Sequence, residues 1–509
     1  MARAILKLPL EEPVATVLTG PVIRQFDADP RQVTALLSHL SMSDPREVGA
    51  RRAQDVLSEL ERAGAACASS PHVCTRVMSI LNRSNMGRAS LALFARKLMA
   101  GAKLDRVAFN TAISAAAGME DAGRAEEVYR RMLAAGIRPD TFTYSALISA
   151  CELDWQRAVR LFREMPERGV EPNVVVFTSL MTVLQRAGQP AQALAIFQEM
   201  EASGVQPDVI AYNALIAAWA RTGEWERAWG ALAAMKREGM QPDTVTYNSL
   251  LAACERGGQV ERAFEIYDRM CREGGRTYGL VQPNLITFNT LIAACAKSPE
   301  WSERALELLE QMREEGHAPD EVTLASVLTV LADSGRWEMA EEMFRTLTAE
   351  GVRPNTWCYN SYINALSTGG HWQRALLVLD DMQRNEGAHA APDTITFSSV
   401  IQACARGGAK TQALALLERM KQQGIEPNAV TYMNVVSACE DDQDWRTAVK
   451  LFEEMRSRGV AMEGVGMVAR RIVYGWPGLM DQLPGWLVLA VRGAVNSGRA
   501  ARRWVESGR

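Results

Sequence analysis

The chain has 509 residues, 48% hydrophobic but only 7% aromatic, and a formal net charge of -4 from 56 basic and 60 acidic side chains. This balance suits helix and excludes a basic surface overall, so any phosphate-binding function must rest on a local stripe. Nine cysteines with no CxxC pair exclude a disulfide scaffold and a structural zinc site, and no apolar run is long enough to span a bilayer, the longest candidate being Gly485 to Val491.

Residues 1–70 form an N-terminal region, partly helical around Arg46 to Ala63, that suits a cap or a targeting segment. Its first thirty residues mix Arg3, Lys7 and Arg24 with Glu11, Glu12, Asp27 and Asp29, whereas organelle transit peptides are poor in acids.

From residue 71 the chain repeats itself. Segments 174–208 and 209–243 are each 35 residues long and close on Gly-x-x-Pro-Asp. The same frame divides the chain into units near 71–105, 106–140, 141–173, 174–208, 209–243, 244–284, 285–320, 321–355, 356–393, 394–428 and 429–463. Each unit reads as two helices. In 209–243 the first carries Leu215, Ile216 and Trp219 at helical spacing, and the second runs from Trp225 to Glu238. Gly239 and Pro242 then stop the helix and restart the unit. Extra residues between Arg272 and Gln282, and near Ala388 to Ala391, fall in the turns joining units, where insertions cost least.

Several slots are nearly fixed. Methionine closes the apolar face of the second helix at Met132, Met165, Met200, Met235, Met270, Met312, Met382, Met420 and Met455, which predicts core. Cys151, Cys254, Cys295, Cys404 and Cys439 share one slot and read as small buried residues. Trp155, Trp225, Trp301, Trp337, Trp372 and Trp445 open the second helix, either as wedges between units or as platforms for bases.

The run Val-Thr-Tyr-Asn-Ser-Leu-Leu (245–251), followed by Ala263, Met270 and Pro283-Asn284, resembles the pentatricopeptide repeat family in its P-type form. Tetratricopeptide repeats differ in period and lack this Pro-Asp ending. The resemblance covers 106–463 well and 71–105 weakly. It implies an all-α, right-handed superhelical solenoid of about eleven helix-turn-helix repeats, whose first helices line a groove for single-stranded RNA. It also implies an organellar protein, of chloroplast or mitochondrion, that acts in RNA processing, stability or translation. Other RNA-processing proteins are candidate partners; no cofactor, small-molecule substrate or membrane span is expected.

By the same resemblance, the fifth residue of a unit and its last residue select the base. Asn110 with Asp140 implies U, Ser145 with Asn173 A, Thr178 with Asp208 G, and Asn213 with Asp243 U. Asn248 with Asn284 implies a pyrimidine, more often C. Asn289 with Asp320 and Asn360 with Asp393 imply U, and Ser398 with Asn428 implies A. Ala325 with Asn355 reads weakly because alanine cannot hydrogen-bond a base, and Met433 with Glu463 departs further. The expected footprint is 5′-U-A-G-U-Y-U-n-U-A-3′.

The second residue of each unit is the candidate base clamp: Val107, Phe142, Val175, Ile210, Val245, Ile286, Val322, Trp357, Ile395 and Val430. Packing between units explains these apolar residues equally well from sequence. Arg186, Arg221, Arg256, Lys297 and Arg406 share a slot at the end of the first helix and form a candidate phosphate stripe, broken by Asp333, Thr368 and Asp441. A solvated turn charge accounts for any one of them.

The five histidines are scattered, no His-Glu pattern joins a Cys-x-x-Cys, and no phosphate-cradling loop or nucleophile elbow occurs, so no catalytic residue is assigned. Residues 464–509 carry Trp476-Pro477, Leu483 to Trp486 and a basic end, and read as a C-terminal cap or tail. A protein-binding scaffold on the same solenoid is the competing function; the restricted polar slots favour RNA.

Overall fold

The computed structural model describes residue 5 and residues 14–42, 46–152, 154–274, 281–384, 390–441 and 444–460. The centres of both insertions, Glu463 and the expected C-terminal cap lie outside them.

The fold is all-α: among the described residues there are helices and turns and no strand. Two compact units divide the chain, one up to Ala253 and one from Cys254, with the division inside the helix Thr244–Arg256. In the first, helices Gly20–Ala28, Pro30–Leu40 and Arg46–Arg62 precede five hairpins. These are Pro71–Arg83 with Gly87–Met99, Arg106–Ala117 with Ala122–Ala134, Thr141–Ala150 with Trp155–Glu167, Val174–Arg186 with Pro190–Ala202, and Val209–Thr222 with Trp225–Arg237. The second contains the helix Val260–Gly274 and five further hairpins. They are Leu285–Cys295 with Ser302–Glu314, Glu321–Asp333 with Trp337–Ala349, Thr356–Thr368 with Trp372–Arg384, Thr394–Arg406 with Lys410–Gln422, and Ala429–Asp441 with Trp445–Ser457.

Each hairpin starts and stops on local chemistry. The last residue of the preceding unit sits in extended backbone and caps the first helix: Asp208 accepts the Ala211 N–H at 2.8 Å, and Asn173 that of Val176 at 3.1 Å. The second helix ends on glycine in the left-handed region. Gly204 has φ +73°, and the Val205 N–H returns to the Met200 carbonyl at 3.1 Å, the six-to-one bond of a Schellman turn.

Within each compact unit, every first helix of the array packs against the first helix of the next hairpin and against the second helices beside it. The seam between hairpins is aromatic. A ring on one second helix meets the fourth residue of the following hairpin edge-on: Phe94 with Phe109 at 5.0 Å, Phe162 with Phe177 at 5.2 Å, Phe197 with Tyr212 at 4.9 Å. Such pairs contribute about 0.5–1.5 kcal/mol beyond burial. The methionine stripe lies in this core, with all nine side chains at most 1% exposed. The five cysteines of the shared slot are buried and free, and burial pushes the thiols of Cys254 and Cys404 up to about 11.

Three of the tryptophans at the start of the second helices, Trp301, Trp337 and Trp372, pack between units. Trp301 stacks on Phe264 of the preceding unit at 4.9 Å. Trp337 meets His371 of the following unit at 3.9 Å between ring centroids, beneath the Arg374 guanidinium. Trp372 lies where a side chain on Gly407 would have to go.

Candidate nucleic-acid interface

The second residue of a first helix follows the cap by two, and the fifth lies one turn further along the same face. Val107, Phe142, Val175, Ile210, Val245, Ile286, Val322, Trp357, Ile395 and Val430 are all solvent-exposed, between 39% and 72%. Among the described residues only Met42, Met99 and Leu377 are comparably exposed large apolar side chains. These ten residues therefore do not serve as packing between hairpins. Each compact unit carries a file of apolar side chains, one for each first helix from Arg106–Ala117 onward, held out in water.

Beside this file the polar slots form a repeated network. The Asn110 amide donates to the Asp140 carboxylate at 3.0 Å, and the Thr143 hydroxyl donates to the Asn110 carbonyl oxygen at 2.7 Å. Asn213, Asp243 and Thr246 repeat it at 3.1 and 2.6 Å. Asn289, Asp320 and Thr323 do so at 3.1 and 2.6 Å, and Asn360, Asp393 and Thr396 at 3.3 and 2.7 Å. Burial would raise the Asp140 carboxyl. The Thr143 N–H, the Asn110 amide, the Thr143 hydroxyl and the Arg106 charge outweigh it and hold the group below its ordinary value.

The other selector pairs are built differently. Ser145 turns its hydroxyl back to the Phe142 carbonyl at 3.1 Å, while Asn173 caps its own helix. Thr178 bonds the Val174 and Val175 carbonyls, and Asp208 caps Ala211. The Ser398 hydroxyl meets that of Thr431 at 2.6 Å, and Asn428 accepts the Thr431 N–H at 2.9 Å. Asn284 caps Leu285–Cys295 in a box with Thr287, and Asn248 is half-buried on its helix. Ala325 is fully buried, with Asn355 capping Cys358. Met433 is half-buried.

The last slot thus has a structural duty that sequence reasoning missed: Asp and Asn stand there as helix caps. The third-position threonines were missed too. The signal was present as Asp or Asn followed three residues later by Thr, a capping pattern. Asp140, Asn284, Asp320 and Asp393 form complete capping boxes with Thr143, Thr287, Thr323 and Thr396.

The basic slot is at the surface. Arg186 lies 3.7 Å from Glu152, and Lys297 3.7 Å from Glu255, each on the preceding unit. Arg406 donates to the Ser367 carbonyl at 3.4 Å, and Arg221 and Arg256 are exposed in the same slot. Exposed pairs of this kind are worth about 0–1 kcal/mol. At the same slot Asp333 is raised by burial, an effect that the Lys297 charge opposes.

The pattern of the pentacotripeptide-repeat region of PRORP matches residues 102–277 and 252–386; two further patterns, described as PPR repeat family and PPR repeat, match 392–441 and 430–460. The chain belongs to the pentatricopeptide repeat family. A maize relative, pentatricopeptide repeat-containing protein 10, chloroplastic, is 37% identical over 91 residues, 18% of this chain and 11% of its own length. A chloroplastic pentatricopeptide repeat-containing protein of Arabidopsis thaliana is 30% identical over 109 residues, 21% of this chain and 18% of its own. The matched stretches span only a small part of these curated relatives. The crystal structure of a maize pentatricopeptide repeat protein has a TM-score of 0.51 and 24% identity, covering 96% of this chain and 76% of that one, which supports the shared repeat fold.

Proposed function

We propose that this pentatricopeptide repeat chain binds single-stranded RNA in a sequence-selective way, one base per unit, along the exposed face of its first helices. The observation that carries the proposal is the register of ten exposed apolar side chains, eight of which have a polar fifth residue beside them. A base needs one surface to stack on and one edge partner to read it. A file of half-exposed valines and isoleucines with one phenylalanine and one tryptophan is otherwise a liability in water.

Eight units between 106 and 428 carry selector pairs, and their order gives 5′-U-A-G-U-Y-U-n-U-A-3′. Arg186, Arg221, Arg256, Lys297 and Arg406 would contact the backbone. The chain would act by occupying a transcript site in RNA processing, stability or translation, rather than by chemistry. We place it in a chloroplast or mitochondrion; two of the relatives above are named chloroplastic. Residues 1–70 would cap or target the array spanning 71–463, and 464–509 would close it.

The test is a gel shift with the nonamer and a scrambled RNA of equal length at fixed salt. Tighter binding of the nonamer is expected. Equal affinities would sink the register, and no binding to either would sink the RNA reading.

A further inference from the structure

A third-position threonine follows every unit whose fifth residue is asparagine. Every fifth-position asparagine (Asn110, Asn213, Asn248, Asn289 and Asn360) is followed in the next unit by threonine: Thr143, Thr246, Thr287, Thr323 and Thr396. After Ser145, Thr178 and Ala325 the slot holds Val176, Ala211 and Cys358; after Ser398 it holds Thr431, whose hydroxyl meets that of the serine at 2.6 Å. Helix capping alone does not demand this coupling. Asn173, Asp208 and Asn355 cap their helices with no hydroxyl at that position.

The geometry supplies a reason. A carboxylate only accepts, so the asparagine must turn its Nδ2 toward the aspartate, 3.1 Å away for Asn289 and Asp320. Its Oδ1 then faces the Thr323 hydroxyl, whose hydrogen has two acceptors, the Asn289 Oδ1 at 2.6 Å and the Asp320 Oδ1 at 2.9 Å, the shorter contact being to the asparagine. Thr323 is fully buried and Asn289 nearly so, which leaves the amide little room to turn. One amide hydrogen and one carboxylate oxygen remain for a base. That donor-acceptor pair matches uracil, which offers a carbonyl oxygen beside an N3–H, and opposes cytosine, which offers an amino group beside a bare N3.

We infer that the third-position threonine is a positioning residue for base selection: it fixes the polarity of the neighbouring unit's asparagine, so that the asparagine can only donate. The inference rests on the RNA reading proposed above. Without the hydroxyl, the Asn289 carbonyl oxygen loses its partner and the amide is released to accept from cytosine.

The experiment uses the full chain with Thr323→Val and Thr323→Ser, and with Thr431→Val as a control at a distant unit, where the capping hydroxyl meets Ser398 of the ninth base's unit and no asparagine. Affinities are measured for the nonamer and for the same RNA with C at the sixth base. Thr323→Val is expected to lower the U-over-C ratio at that base by about threefold to tenfold, the worth of one hydrogen bond. Thr323→Ser should retain the ratio, and Thr431→Val should lower the melting temperature without changing it. An unchanged ratio in Thr323→Val, or an equal fall in Thr323→Ser or Thr431→Val, overturns the positioning role. If the unmodified chain prefers U and the variants do not differ, only this inference fails. If the unmodified chain binds neither RNA, the RNA reading fails and takes the inference with it.

Discussion

Asn289 and Asp320 are the fifth and last residues of one unit, and the aspartate that accepts the asparagine amide at 3.1 Å also accepts the N–H of Thr323 in the next unit at 2.9 Å. One carboxylate therefore begins a helix and, together with the Thr323 hydroxyl, orients the Asn289 amide. Asp320→Ala should lower stability by about 0.5–2 kcal/mol through the lost cap, seen as a lower melting temperature. Asp320→Asn should leave the melting temperature nearly unchanged while altering preference at the sixth base of the bound RNA. A large loss of stability in Asp320→Asn would contradict the capping account.

Trp357 and Trp337 should separate binding from folding. Trp357 is 53% exposed in the apolar file, whereas Trp337 is wedged against His371. Trp357→Ala is expected to weaken RNA binding by about 1–3 kcal/mol and to leave the thermal transition in place. Trp337→Ala should do the reverse. Titration calorimetry beside thermal melts reads both, and a matched loss in the two assays for Trp357→Ala would place it in the core.

A side chain at Gly407 would fall on the Trp372 ring of the preceding unit. Gly407→Ala should destabilise by about 1–3 kcal/mol from overpacking, measured by denaturant unfolding. Adding Trp372→Ala should remove most of the penalty, since the clash needs both residues. Additive losses in the double variant would mean that the two sites do not touch.

Asp444 is held at about 2 by the Thr447 hydroxyl first and by Lys410, which lies 3.1 Å away on the neighbouring unit. Its value in the folded chain is below the ordinary 3.8. Its stabilising contribution is therefore complete above about pH 4 and is lost as pH falls toward 2. Asp444→Asn should flatten that part of the acid unfolding curve; an unaltered curve would remove Asp444 from the account.

The salt response tests the basic slot. Each genuine phosphate contact takes about 0.7 from the slope of log affinity against log salt for a single strand. Replacing Arg186 or Arg406 with alanine should reduce the slope by that amount and weaken all RNA sequences alike. A slope that does not change assigns these residues to the turn surface.

The repeat period, the helix ends and the methionine core were legible in the sequence because each depends on nearby residues. Gly204, Pro207 and Asp208 stop one hairpin and cap the next within a few positions. The exposure of Val175 and Ile210 was not legible: a second-position apolar residue points to solvent or into the seam according to where the next hairpin sits. For the same reason Trp357 and Trp337 were equivalent as residue types and are opposite in the fold. The threonine network was obscured because Thr143 and Thr246 belong to the same short motif as the residues they serve across the seam. Their partners Asn110 and Asn213 lie 33 residues earlier in the chain.

The capping role of the last slot bears on how such a chain changes its target over generations. Asp and Asn are about equally good at starting a helix. A swap between them at Asp140, Asn173 or Asp208 would thus alter what a unit recognises while leaving fold stability near neutral. Drift in recognition can then proceed one hairpin at a time, without compensating changes elsewhere in the chain.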